Sequence, residues 1–303
     1  MTDASTAAKA PERGAPFRAA LVQMRTAKSV EANVAAASEL IREAAAGGAS
    51  YIQTPEMTGT MEENRQALFA VLHEEESDPA LKAFRALAAE LGVHLHIGSL
   101  AVKASEHRAA NRSFLLGPDG AILARYDKIH MFDVDLPNGD VYRESAAYRP
   151  GELAVVADLP GVRLGMTICY DLRFPALYRA LAEGGAGMLA VPAAFTQSTG
   201  EAHWHVLLRA RAIENGAYVL AAAQGGAHEN GRKTFGHSLI IDPWGTILAE
   251  GGTEPGVISA EIDPAKVASV RTRIPSLEHG RRFELVGPAD TGRLHLAASG
   301  DAA

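Results

Sequence analysis

Strand-length apolar runs recur along this chain, and they are joined in two different ways. FRAALVQM (17–24), YIQT (51–54) and VHLHIGSL (93–100) are separated by amphipathic stretches of helical length. The first of these predicts a helix from Ser29 to Ala46, with Val30, Val34, Ala37 and Ile41 on one face and Gly47-Gly48 ending it. Asp78-Pro79 opens a second helix, in which Leu81, Phe84, Ala88 and Leu91 share a face and Gly92 closes it. The pattern then changes. SFLLGPDGAILARY (113–126), LAVVADLPGVRLGMTIC (153–169) and HSLIIDPWGTILAE (237–250) each read as strand, turn, strand. A long polar connection spans 129–150, helices are expected at 174–183, 201–214 and 263–270, and further strands at 187–191, 217–223 and 257–262. Helices mixed with hairpins point to sheets covered by helices on their outer faces, and not to one purely parallel sheet.

The totals narrow the function classes. Hydrophobic residues make up 47% of 303, enough for a large core, and the net charge is −7 from 29 Lys+Arg against 36 Asp+Glu. No run of basic residues suggests nucleic acid or an anionic membrane as a partner. No apolar run reaches the roughly 18 residues of a membrane span. Residues 1–16 have no apolar segment of the secretory kind and read as a disordered tail, 17–285 as a single domain without linker or repeat, and 286–303 as a second tail. With one cysteine, Cys169, there is no intrachain disulfide and no CxxC site, and a free thiol fits a cytoplasmic location.

Cys169 follows the strand GMTI, and polar and aromatic groups crowd the positions after it in YDLRFP. Free cysteine packs as a small hydrophobe, so burial alone would account for it. Two features favour chemistry: the C-terminal end of a strand in an α/β fold, and a helix start nearby whose backbone N–H groups are free. A nucleophilic thiol needs help, since only about 3% is thiolate at pH 7 at an ordinary pKa. Among strand ends, Glu56 after QTP and Lys128 after ILARYD are placed to supply an acid and an ammonium. The sequence has no G-x-S-x-G elbow and no phosphate-binding loop, and Pro175 stands where a cysteine phosphatase has its arginine. Of two H-x-H pairs, His94/His96 share a strand face and His203/His205 diverge at a helix start; both read as ordinary hydrogen-bonded histidines, and no metal is expected.

At these residues the sequence resembles the nitrilase superfamily of carbon–nitrogen hydrolases. TPEMTG carries Glu56, RYDKIHMFD carries Lys128 and GMTICYDLRFP carries Cys169, in the family's order. The resemblance runs from residue 17 to about 285 and implies a four-layer α-β-β-α sandwich and a Glu-Lys-Cys triad with no cofactor. It implies Glu144, in YRESAAYRPG, as a second glutamate beside the triad. It also implies that Glu56 takes the thiol proton, its pKa raised by burial, and that Lys128 and the Tyr170 N–H stabilise the oxyanion.

The stretches 191–226 and 236–246 are similar to the branch containing deaminated glutathione amidase and omega-amidase, which implies a small carboxylated amide as substrate. Omega-amidase, N-carbamoyl or nitrile hydrolysis, and a non-catalytic dimeric scaffold stand as alternatives. Arg173 is the candidate cationic anchor, the alternative being a structural ion pair with Asp171 or another acid, and Phe195 and Thr196 are candidate pocket walls. Trp204, Arg209 and Arg211 read as helix packing or dimer contacts, and the loop AHENGRK (227–233) as reaching the pocket rim. The family implies a homodimer or higher homo-oligomer.

Overall fold

Strand β1 (Phe17–Gln23) shows why its sequence is a continuous apolar run. Ala19 and Leu21 belong to one buried cluster, Ala20 and Val22 to another. Side chains alternate across a strand, so a strand covered on both sides has no polar face. The same alternation recurs in β4 (Ala109–Leu116), where Leu115 joins the first cluster and Phe114 and Leu116 the second.

The structure, a computed structural model, describes residues 14–136 and 139–284; residues 1–13 and 286–303 of the two expected tails lie outside the described residues. Among the described residues a seven-stranded sheet follows the path β17 (Gly256–Ile262), β1, β2 (Tyr51–Gln53), β3 (His94–Lys103), β4, β5 (Ile122–Asp127), with β8 (Tyr148–Arg149) pairing β4. A six-stranded sheet runs β16 (Ile247–Glu250), β15 (Leu239–Ile241), β12 (Tyr218–Ala221), β11 (Met188–Ala190), β10 (Val162–Met166), β9 (Val155–Leu159). β1, β2 and β3 are mutually parallel, as are β10, β11 and β12, and antiparallel strands flank both groups. Helices α1 (Val30–Ala46) and α3 (Pro79–Leu91) cover the outer face of the first sheet through Ala37, Ile41, Leu81 and Phe84. Helices α4 (Pro175–Glu183) and α5 (Gln197–Asn215) cover the second through Leu177, Tyr178, Trp204 and Leu208. The inner faces meet through Leu21, Tyr51, Leu115, Leu164 and Met166, giving the α-β-β-α order. The final helix, α6 (Pro264–Arg273), starts from Asp263, whose carboxylate accepts from the Ala265 N–H.

The differences from the sequence reading fall outside the long periodic elements. Helix α2 (Arg65–Val71) has seven residues and buries only Leu68, too little periodicity to register. The polar connection 129–150 contains a hairpin, β6 (Asp133–Asp135) with β7 (Val141–Arg143), a 3-10 turn at Glu144–Ala146 and β8. A second short hairpin, β13 (Gly225–Ala227) with β14 (Lys233–Phe235), carries the AHENGRK loop. Helix α5 begins at Gln197, four residues before the expected start, and takes in Gly200, against which Phe235 packs. Cys169 is not at the end of a strand: β10 stops at Met166, and Cys169 opens a 3-10 turn, Cys169–Arg173.

One glycine positions the site. A Cβ at Gly98 in β3 would lie 2.1 Å from the Thr54 carbonyl oxygen and 2.4 Å from that of Pro55. The register of β3 against β4 shifts here, and the Gly98 N–H donates to Thr54 Oγ1 at 3.0 Å. The bare backbone thus lies against the turn that delivers Glu56. Gly98→Ala is expected to cost about 1–3 kcal/mol through overpacking and to displace Glu56. A lowered urea midpoint together with reduced turnover would be observed; a variant with wild-type values in both would refute this packing account.

Candidate active site

The site lies where strands of both sheets end. Glu56 follows β2, Lys128 follows β5 and Cys169 follows β10. All three are buried, at 4%, 2% and 7% exposure, so their charges must be balanced locally.

Lys128 is the centre of that balance. Its ammonium donates to Glu56 Oε1 at 2.9 Å and to Glu144 Oε1 and Oε2 at 3.0 and 2.8 Å. An ammonium has three donors, and here they all meet carboxylate oxygens. Asn111, fully buried in β4, donates its amide to both glutamates, at 2.9 Å to Glu56 Oε1 and 3.1 Å to Glu144 Oε1. The Ala194 N–H donates to Glu56 Oε2 at 2.9 Å and the Phe132 N–H to Glu144 Oε2 at 2.7 Å.

The protonation states follow. Burial alone would lower the Lys128 pKa, but the charges of Glu144 and Glu56 outweigh it and hold the ammonium well above its ordinary value. Burial pushes the Cys169 thiol up, the Glu56 charge pushes it further, and Lys128 only partly opposes them. Burial also pushes Glu56 up, yet Lys128, a hydrogen bond with Cys169 and the charge of Arg232 bring it below its ordinary value. This corrects the expectation that Glu56 has a raised pKa: the adjacent ammonium wins over desolvation. The resting site therefore pairs a neutral thiol with an ionised carboxylate.

The turn bearing Cys169 is held by Asp171, which is fully buried. Asp171 Oδ2 accepts from the Ile168 N–H at 2.8 Å and from the Tyr126 hydroxyl at 2.7 Å. Oδ1 accepts from the His130 N–H at 3.1 Å and lies 2.7 Å from His130 Nδ1. Tyr126 and His130 bracket Lys128 at i−2 and i+2, so the Y-x-K-x-H spacing is a pair of struts from the lysine segment to the cysteine turn. The Cys169 N–H donates to the Pro192 carbonyl at 2.9 Å, and Arg211 Nη2 donates to the Leu172 carbonyl at 2.7 Å. Cys169 has φ +48° and Met57, next to Glu56, has φ +56°, in the left-handed region that costs energy for such residues. The Tyr170 N–H, in the first turn of the 3-10 segment, has no acceptor within it.

A cavity of about 330 Å3 opens above these groups. Glu56, Lys128, Glu144, Cys169, Tyr170, Phe195 and Thr196 all line it. Arg173 does not: its guanidinium lies 5.3 Å from the Phe195 ring centroid and 3.3 Å from His203 Nδ1. Nor does it pair with Asp171, whose oxygens are taken by Tyr126, His130 and the Ile168 N–H.

The cation in the lining that the sequence reading missed is Arg232, from the β13–β14 loop. It donates to the Ala194 carbonyl at 2.6 Å and lies 5.2 Å over the Tyr142 ring; its nearest acid, Glu63, is 3.9 Å away, and its Nε is buried without a partner. Arg143 also lines the cavity but is paired with Asp135 at 2.7 Å. The only signal for Arg232 was its place in the loop expected at the rim, and Asn111 gave none beyond being an amide in a strand.

The remaining histidines and helix residues sort by packing. His96 is buried between the Tyr51 hydroxyl (2.8 Å) and Ser113 Oγ (2.7 Å), and burial pushes its pKa down to about 3. Trp204 is buried with its indole N–H on the His237 carbonyl, and Arg209 donates to the Gly245 carbonyl. Among the described residues no helix is long and apolar enough to cross a membrane.

The sequence model of the carbon-nitrogen hydrolase family matches residues 18–272, and the chain belongs to that family, the nitrilase superfamily. It is a carbon–nitrogen hydrolase of the amidase type. It is 42% identical over 272 residues to deaminated glutathione amidase of Synechocystis sp. (strain PCC 6803 / GT-S), spanning 87% of this chain and 98% of that protein. It is 35% identical over 265 residues to omega-amidase NIT2 of Homo sapiens, spanning 88% and 95%. The C. elegans NitFhit structure superposes with a TM-score of 0.83 at 34% identity, covering 89% of this chain and 66% of that one. The amidase of Nesterenkonia AN1 superposes at 0.72 with 29% identity, covering 88% and 98%.

Removing the Asn111 amide leaves two carboxylates facing each other with only Lys128 between them. Hydrogen bonds to charged groups contribute about 1.5–3 kcal/mol, so Asn111→Ala is expected to lower kcat/KM for amide hydrolysis by about ten- to a hundredfold. Unchanged kinetics would show that the bridge is dispensable.

Proposed function

We propose that this enzyme hydrolyses the terminal amide of a small carboxylated 2-oxo acid of the deaminated glutathione type. The observation that carries this reading is the Lys128 ammonium shared by Glu56 and Glu144 beside the Cys169 thiol, at the floor of a cavity that also holds the underpaired guanidinium of Arg232. A guanidinium with donors to spare suits a carboxylate, and the cavity is at the small end of the about 300–1,000 Å3 usual for small-molecule sites. The relatives named as deaminated glutathione amidases support the same substrate class.

In this reading Cys169 Sγ attacks the amide carbonyl carbon as Glu56 takes its proton. Because the thiol is raised and the carboxylate lowered, a free thiolate is scarce, so proton transfer and attack proceed together. The oxyanion is met by the Tyr170 N–H and by Lys128, which exchanges a bond to Glu144 for one to the oxygen; one such donor contributes about 3–4 kcal/mol to transition-state stabilisation. Glu56 passes the proton to the departing nitrogen, ammonia leaves, and a thioester remains on Cys169. Glu56 then deprotonates a water that attacks the thioester, and returns that proton to sulfur as the acid is released. Glu144 keeps Lys128 cationic and oriented throughout. The resemblance to human omega-amidase supports a second reading, with 2-oxoglutaramate as the substrate.

The experiment is an ammonia-release screen over deaminated glutathione, 2-oxoglutaramate, a matched amide without the carboxylate, an N-carbamoyl compound and a nitrile. Carboxylated amides are expected to lead. Cys169→Ala should abolish release, and Arg232→Gln should raise KM about ten- to a hundredfold for carboxylated amides only. A nitrile or the uncharged amide turning over fastest, or activity surviving in Cys169→Ala, would sink the proposal.

The pH profile tests the proton route separately. Glu56 must be ionised to act, and its pKa lies below the ordinary value, so kcat/KM should fall only below about pH 4.3. Cys169 and Lys128 are both raised, so no alkaline loss is expected before about pH 9. A flat plateau between these limits is the expected result, and an acid limb near pH 6–7 (about the histidine range) would count against Glu56 as the base.

A further inference from the structure

Apart from the cavity, three potential metal ligands from three separate elements converge. His205 projects from α5, His237 from the turn between β14 and β15, and Glu250 from the end of β16. His205 Nε2 and His237 Nδ1 each lie 2.9 Å from the same oxygen, Glu250 Oε1. One ligand atom from each of the three falls within 4.8 Å of the others. None of them lines the cavity, and none has a role in the proposed reaction.

The cluster is braced in a way a chance surface contact does not require. His237 is one of three non-glycine residues with positive φ among the described residues, at +51°. Its N–H donates to the Gly252 carbonyl at 2.7 Å, and its carbonyl accepts the indole N–H of Trp204 at 2.8 Å. Trp204 is fully buried and adjoins His205; Gly252 is two residues from Glu250. The backbone that aims the His237 ring is thus fixed by immediate neighbours of the other two ligands. The ring also stacks on Phe235 at 4.4 Å, and Phe235 closes on Gly200 in α5. A left-handed histidine persists only where its surroundings over-determine it.

We propose that His205, His237 and Glu250 form a binding site for a zinc-type divalent ion. Two imidazoles and one carboxylate are the donor set that suits Zn2+, which takes three protein ligands and leaves a position for water. Ca2+ and Mg2+ prefer all-oxygen shells, and no thiolate is present to select softer ions. Two ring N–H groups now converge on one carboxylate oxygen; a bound ion would replace them with a single divalent charge, each ring presenting its lone pair by a change of tautomer. The half-buried histidines and the exposed glutamate leave the ion a path from solvent. Bound there, it would tie α5 to both strands flanking the His237 turn. Through β14 it would steady the hairpin that carries Arg232, without taking part in bond cleavage.

The test uses full-length, tag-free protein carrying Cys169→Ala, so that neither the thiol nor a polyhistidine tag competes. Zn2+ is titrated by calorimetry, and Co2+ by its visible d–d absorption. One equivalent should bind, with a Co2+ spectrum of four- or five-coordinate type. Losing an outer-shell partner of a metal site already costs 10–100-fold in affinity, so losing a ligand should cost about 100-fold or more. That loss is expected for His205→Ala and for His237→Asn, the latter keeping a residue that tolerates positive φ. His203→Ala, on the same helix, should leave binding unchanged. Binding no tighter than about 1 mM, or binding that survives both ligand substitutions, would overturn the proposal.

Discussion

A fully desolvated ammonium is the constraint to which the rest of the site answers. Lys128 remains charged only because two carboxylates lie within 3 Å of it. Two acids and one base leave an excess negative charge in a buried place, which Asn111 and the backbone N–H groups of Phe132 and Ala194 disperse. Without those carboxylates burial would lower the Lys128 pKa, and without the ammonium burial would raise that of Glu56. Burial raises the thiol, and Glu56 raises it further, because a thiolate would add a negative charge beside that carboxylate. In the resting site the proton therefore stays on sulfur beside an ionised Glu56.

Holding these groups together is a problem of joining two sheets. Glu56 and Lys128 extend from the first, Cys169 from the second, and inter-sheet apolar contact does not by itself set their relative height to a fraction of an ångström. Asp171 does this. It caps the cysteine turn through the Ile168 N–H and binds the lysine segment through Tyr126 and His130. Its two oxygens link elements 41–45 residues apart in sequence. Buried polar networks are costly unless every member is satisfied, and this one is satisfied at both oxygens.

What could be read in the sequence followed from what is local. The doubly covered strands, α1, α3 and the hairpins around 117–120 and 242–245 declared themselves through periodicity, caps and turn residues. Glu56, Lys128 and Cys169 stood out because each follows a strand within a distinctive motif. Arg232 did not, since its place in the lining depends on a short hairpin folding back to Ala194, a contact 38 positions away. Arg173 drew attention by adjacency, yet nearness in sequence does not set direction in space: its side chain leaves toward Phe195 and His203. The sign of the Glu56 shift was illegible for a related reason. Burial can be inferred from a motif, but whether desolvation or a neighbouring ammonium prevails depends on a 2.9 Å distance.

Backbone strain marks the same division. Met57, Cys169 and His237 are the described non-glycine residues with positive φ. The first adjoins Glu56 and the second is the cavity-lining cysteine itself, both just past a strand end. In each case glycine would be easier for the backbone; at Cys169 the turn is held by its surroundings, Asp171, Pro192 and Arg211. The same reasoning applies to His237, which occupies the third such position with Trp204 and Gly252 holding it. Glycine would relieve that turn too. An imidazole stands there instead, aimed at Glu250 and beside His205, against the local preference of the backbone.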